Sequence, residues 1–235
     1  MKLWNRIQNA PSSREGTPAG DLTPRDMAQR LMSLSDFQWG RYAFSREPLE
    51  GKFTPEQKDT YTLAAIACGK EWAQETASRC GSRDPKVLAE RMGIRILTPD
   101  IPTGGAQVMF AQFIQPDEIT VFTDCLDKAA ALGDILPPRE RLMDILLAHE
   151  LFHAVEERNP DKIFTRTEKI ELWRKPFSNK SGIVCLSEIA AMAFARELLG
   201  LSFNPYALDV LLVWPYDAVA ARELYEEICD LTKDV

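Results

Sequence analysis

Apolar positions recur at three- and four-residue intervals over most of this chain, and the residues between those runs mark helix ends. Thr23-Pro24 has the grammar of an N-cap followed by proline at the first helical position, and Met27, Leu31 and Leu34 continue it as one apolar stripe. Thr54-Pro55-Glu56-Gln57 repeats that grammar with Gln57 where a capping-box partner belongs. A long helix is therefore expected to about Cys80, ended by Gly81 in a left-handed cap. Asp84-Pro85 opens a short helix that Gly93 stops, so the first 93 residues are expected to be mainly helical, after a disordered tail over residues 1–22. Within that tail, residues 9–20 hold no apolar side chain larger than alanine.

The pattern then changes. Residues 94–97, 107–114 and 118–123 are short runs of strand-forming residues, the last two separated by the turn sequence Gln115-Pro116-Asp117. Helical periodicity returns over 138–158, 184–199 with Gly200 as its cap, 205–213 and 216–231. Residues 159–182 are mostly polar and contain Pro160, Pro176 and Gly182, which predicts a surface insertion. The expected class is α+β: a helical region over 23–83, then a domain over 84–235 with a sheet of about three strands packed on the helix at 138–158 and closed by C-terminal helices.

Composition narrows the function classes. Against 28 Lys and Arg stand 35 Asp and Glu, a net charge of −7, which is the wrong sign for capturing a phosphate backbone, so no direct nucleic-acid ligand is expected. Five scattered cysteines form no C-x-x-C pair and suit a reducing compartment. The opening residues lack the apolar stretch of a secretion signal, and no apolar run reaches the 18 or so residues that span a bilayer. A cytoplasmic protein with no membrane partner is expected.

The chemistry is concentrated at residues 149–153, His-Glu-Leu-Phe-His, which contain both of the chain's histidines. Chance would produce that arrangement about once in a thousand such sequences. Four residues apart on a helix, two imidazoles share a face and can converge on a zinc ion, while Glu150 can take a proton from the catalytic water and pass it to a leaving amine. Ile145 to Ala148, Leu151, Phe152, Ala154 and Val155 make this helix apolar on nearly every side, so these polar groups are expected to be buried, where a metal would relieve their desolvation. The alternative is two core histidines satisfied by backbone carbonyls, with Glu150 paired to an arginine.

A catalytic zinc takes a third protein ligand, and no histidine remains to supply it. Glu188, among Ile189, Ala191, Met192 and Phe194, is the best candidate, with Glu157 and Cys185 as competitors. The alanines at 190, 191, 193 and 195 would let its helix approach the histidine helix closely. Alternatively, Glu188 near a helix start merely complements the helix dipole. Tyr206, Tyr216 and Arg196 are candidates for polarising a scissile carbonyl, with nothing to choose among them. An edge strand at 107–114 or 118–123 would align an extended peptide.

Over residues 84–200 the chain resembles the ImmA/IrrE metallopeptidases, relatives of the gluzincins. DPKVLAERMGIRIL is similar to the helix and strand that open that domain, EITVFTD to the strand before the metal helix, LLAHELFHAV to that helix, and EIAAMAFARELLG to the family's E-x-x-A-x-x-F-A stretch. The resemblance implies a zincin-like domain with Zn2+ held by His149, His153 and Glu188, Glu150 as general base, and peptide-bond hydrolysis, with a DNA-binding repressor as the kind of protein substrate that known members cleave. Two positions depart from the family. Phe152 replaces a usual glycine and is expected to narrow the cleft, and Met192 stands where Asn or Asp is frequent, removing a hydrogen bond to the site. The rival class is a non-catalytic module that keeps zinc for partner recognition, against which stand the open coordination position and Glu150.

Overall fold

The structure is a computed structural model and describes residues 22–101, 108–173 and 179–233. The tail expected over 1–22 lies almost wholly outside the described residues. Helices α1 (Pro24–Ser33) and α3 (Pro55–Cys80) begin as their sequences predict, with reciprocal capping boxes at Thr23 and Thr54 and proline in the first turn. Between them lies α2 (Asp36–Ser45), capped by Ser35 and Gln38 in the same way. Gly81 ends α3 at φ 56°, a left-handed conformation that a side chain would strain.

After α4 (Pro85–Arg91) comes a three-stranded sheet of β1 (Arg95–Leu97), β2 (Ala111–Ile114) and β3 (Glu118–Val121), in the order β1-β3-β2. β3 runs parallel to β1 and antiparallel to β2, with Ile119 opposite both Ile96 and Phe113. β3 is therefore the central strand, with Ile119 and Val121 fully buried. This corrects one expectation: both backbone edges of β3 are occupied, so residues 118–121 cannot align a peptide. Among the described residues β2 lies at the edge of the sheet, although residue 107 of the segment 107–114 lies outside them.

The chain turns through α5 (Thr123–Ala129), whose N-cap Phe122 offers no side-chain cap, and a 3-10 segment at Ala130–Ile135 before entering α6 (Arg139–Arg158). α6 packs on β2 and β3, and every residue from Ile145 to Phe152 is buried. Residues 159–182 are more than a surface loop. They form α7 (Phe164–Thr167) and a hairpin of β4 (Lys169–Trp173) and β5 (Asn179–Gly182), and Ile163 and Thr165 are buried. The polar composition belongs to the hairpin, while two side chains root the segment in the core.

α8 (Val184–Leu199) follows, then α9 (Ala207–Leu211) and α10 (Ala218–Leu231). α8 lies between α3 and α6, and residues 189–195 are buried without interruption. Gly69 of α3 explains how closely α3 and α8 approach: a β-carbon there would stand 2.1 Å from the backbone oxygen of Ala190 and 2.9 Å from Cβ of Ala193. One hydrophobic core runs through residues of α1, α2 and α3 and of the later elements alike. All five cysteines are free, and no described helix is long and apolar enough to cross a membrane.

Candidate metal centre

α6 carries His149 and His153 one turn apart on the face that meets α8, and their Nε2 atoms come within 3.2 Å of each other. Glu188, in the second turn of α8, presents one carboxylate oxygen to each: Oε2 stands 3.4 Å from His149 Nε2 and Oε1 stands 3.6 Å from His153 Nε2. Donor atoms held at 2.0–2.1 Å around a tetrahedral ion are about 3.3–3.4 Å apart, so these separations match one face of a coordination tetrahedron. No other group of three or more His, Cys, Asp or Glu side chains among the described residues converges this way. Two imidazoles and a carboxylate form a donor set that could hold a divalent cation.

Electrostatics agree with ligand roles for His149 and Glu188, whereas at His153 burial is outweighed by the carboxylates of Glu156, Glu188 and Glu150, which raise the imidazole above its ordinary pKa. Burial holds the His149 imidazole below its ordinary pKa, which keeps it neutral as a ligand must be. Burial alone would raise the Glu188 carboxyl, but the hydrogen bond from His149 and the two imidazoles bring it well below the usual carboxylate range. The side chains are graded in exposure, 1% for His149, 18% for His153 and 39% for Glu188. Solvent therefore reaches the cluster from the Glu188 side. Glu150 is buried at 1% exposure beside the pair, close enough for its charge to act on both imidazoles.

The nitrogens facing away from the cluster differ. His149 Nδ1 is buried with no hydrogen-bond partner among the described residues. His153 Nδ1 stands 3.2 Å from Ser187 Oγ, which donates to Glu156 Oε2 at 2.9 Å. Thr165 Oγ1 donates to the other Glu156 oxygen at 2.5 Å, and Arg166 Nε lies 3.6 Å from Oε2. Sequence reasoning missed Ser187 and Glu156. The available signal was position, since Glu156 stands at i+3 from His153 on the same apolar helix and Ser187 immediately precedes Glu188.

The competing ligands are engaged elsewhere. Glu157 accepts from Arg166 Nη2 at 2.6 Å, outside the cluster. Cys185 is buried; its backbone N–H donates to Glu47 Oε2 at 2.9 Å, and burial together with the Glu47 carboxylate pushes its thiol pKa up. Glu47 thereby supplies the cap at the start of α8 that the N-cap Ile183 lacks. Of the proposed electrophiles, Arg196 is paired with Asp36 at 2.5 Å and Tyr216 donates to Asp124 at 2.6 Å. Tyr206 is buried at 3% exposure, stacked on Trp39, and burial followed by the Glu188 charge raises its phenol. None of the three is placed at the open side of the cluster by its contacts. Phe152 does not narrow the cleft as expected. It is fully buried against Phe194, with ring centroids 5.7 Å apart, and so fills the core between α6 and α8. Met192 is likewise wholly buried.

Comparison of the chain with known protein families, with curated proteins and with solved structures finds no match.

Proposed function

We propose that this chain is a zinc-dependent metallopeptidase of the ImmA/IrrE type, with His149, His153 and Glu188 as metal ligands and Glu150 as general base. The observation that carries the reading is the meeting of two imidazole nitrogens and a carboxylate from a second helix at tetrahedral-edge distances, directly beside a buried glutamate. Bound zinc supplies Lewis acidity, which makes water nucleophilic near neutral pH and polarises a carbonyl. Glu150 takes the proton of the attacking water and delivers it to the leaving nitrogen, so the peptide bond is broken without an acyl-enzyme. The exposed side of Glu188 leaves room for substrate. The five free thiols suit a reducing cytoplasm. A protein substrate such as a DNA-binding repressor follows from the sequence resemblance and from an acidic chain that suits a basic partner.

Two preparations test this. The purified wild-type chain should carry close to one zinc per molecule and hydrolyse members of a mixed quenched-fluorescent peptide library. Glu150→Gln should keep its zinc and its fold while losing that hydrolysis. A wild-type chain that takes up no zinc on titration, or a Glu150→Gln chain that turns over normally, would refute the reading.

A further inference from the structure

Between His153 and α7 runs a chain of hydrogen bonds whose direction is set by counting protons. Both oxygens of Glu156 accept, Oε1 from Thr165 Oγ1 at 2.5 Å and Oε2 from Ser187 Oγ at 2.9 Å, and the Arg166 guanidinium lies 3.6 Å from Oε2. A carboxylate with two hydroxyl donors and a cation beside it is ionised and has no proton to give. Ser187 has one hydroxyl proton, and it is spent on Glu156. At 3.2 Å from His153 Nδ1, the Ser187 oxygen can then only accept. When neutral, His153 must therefore carry its proton on Nδ1, which leaves the lone pair on Nε2, the atom that faces His149 and Glu188.

We propose that Ser187 and Glu156 are positioning residues that fix the tautomer and ring orientation of His153 through a serine-bridged relay anchored on α7 by Thr165 and Arg166. A hydroxyl here stands between imidazole and carboxylate, whose direct separation is 3.9 Å, too long for a hydrogen bond. His149 has no such support, its Nδ1 being unpartnered among the described residues. The two ligands are thus unequal: His153 is oriented before metal arrives, and the segment 159–182 is linked to the site through Glu156. This inference rests on reading His149, His153 and Glu188 as ligands, but its first readout needs no metal.

Because the chain has only two histidines, [15N]histidine labelling yields just two imidazole spin systems, which His153→Ala assigns. In zinc-free wild-type protein near pH 9, where imidazoles are neutral, His153 should show a protonated Nδ1 and a bare Nε2. Ser187→Ala should lose that tautomer preference and weaken zinc binding by about 10- to 100-fold in competition with a chromogenic chelator. Ser187→Thr, which restores the hydroxyl, should recover both. Wild-type His153 with its proton on Nε2, or Ser187→Ala protein with the wild-type tautomer and affinity, would overturn the relay. A wild-type chain that shows the Nδ1–H tautomer yet binds no zinc would sustain the relay while refuting the ligand assignment.

Discussion

Along its α3 side, helix α8 is seated by shape: Gly69 leaves no room for a β-carbon, and the alanines at 190 and 193 let the two backbones come together. Along its α6 side the same helix meets polar chemistry, with Ser187 and Glu188 facing His153, His149 and Glu156. The difference teaches how the site is built. Close packing of small residues costs little side-chain entropy and tolerates no displacement, so it can hold α8 firmly enough for Glu188 to meet two imidazoles on another helix. The polar seam has no such self-sufficiency, because its buried groups are stable only while each has a partner or an ion.

The largest effect should come from spoiling the apolar seam. Gly69→Leu would drive a side chain into the Ala190 carbonyl and should destabilise the fold by about 3 kcal/mol, net of the better helix propensity of leucine, in urea denaturation. It should also weaken zinc binding although it touches no ligand; stability near that of wild type would show that α3 does not fix α8. Next in size is the polar seam itself. Glu188→Ala should reduce zinc affinity by more than the roughly 10- to 100-fold that an outer partner is worth, and should remove the extra thermal stability that zinc confers. Glu157→Ala and Cys185→Ala should stay within a few-fold of wild type, because Glu157 is held by Arg166 at a half-exposed site and Cys185 lies outside the cluster.

The smallest effect concerns a buried acid that belongs to neither seam's logic. Asp209 on α9 is 1% exposed, and neither carboxylate oxygen has a hydrogen-bond partner among the described residues. Burial, followed by the Glu188 charge, raises its pKa well above the usual value, so the folded chain holds a neutral acid that the unfolded chain would ionise above about pH 4. Stability therefore falls as pH rises through that range. Asp209→Asn should be more stable than wild type at pH 7, with the advantage shrinking as the pH approaches 4. A pH-independent difference in denaturation midpoints would show that Asp209 finds a partner.

Much of this architecture could be read before any coordinates, and the reasons lie in particular residues. Thr23, Thr54, Gly81 and Gly200 announce helix ends through local chemistry that tertiary contacts do not alter. The histidine pair is visible because four residues on a helix is a local spacing, and Glu188 because an acid in an apolar run needs a reason. The order β1-β3-β2 is not local. Which of three short strands lies in the middle depends on pairings across the sheet, so nothing in residues 118–123 announced that both their edges were taken. Helix α5 begins without a side-chain cap and carries no start signal. The His153–Ser187–Glu156 relay joins α6 to α8, and its members have side chains that are ordinary until the two helices are brought together.

The central claim is that the α6–α8 seam is a zinc site with two imidazoles and one carboxylate. X-ray absorption at the zinc edge of the stoichiometrically loaded wild-type chain tests it most directly. The account predicts a first shell of nitrogen and oxygen only, at about 2.0–2.2 Å, with the outer-shell scattering of two imidazoles. A sulfur scatterer at about 2.3 Å, a single imidazole, or a chain that cannot be loaded with zinc would contradict it.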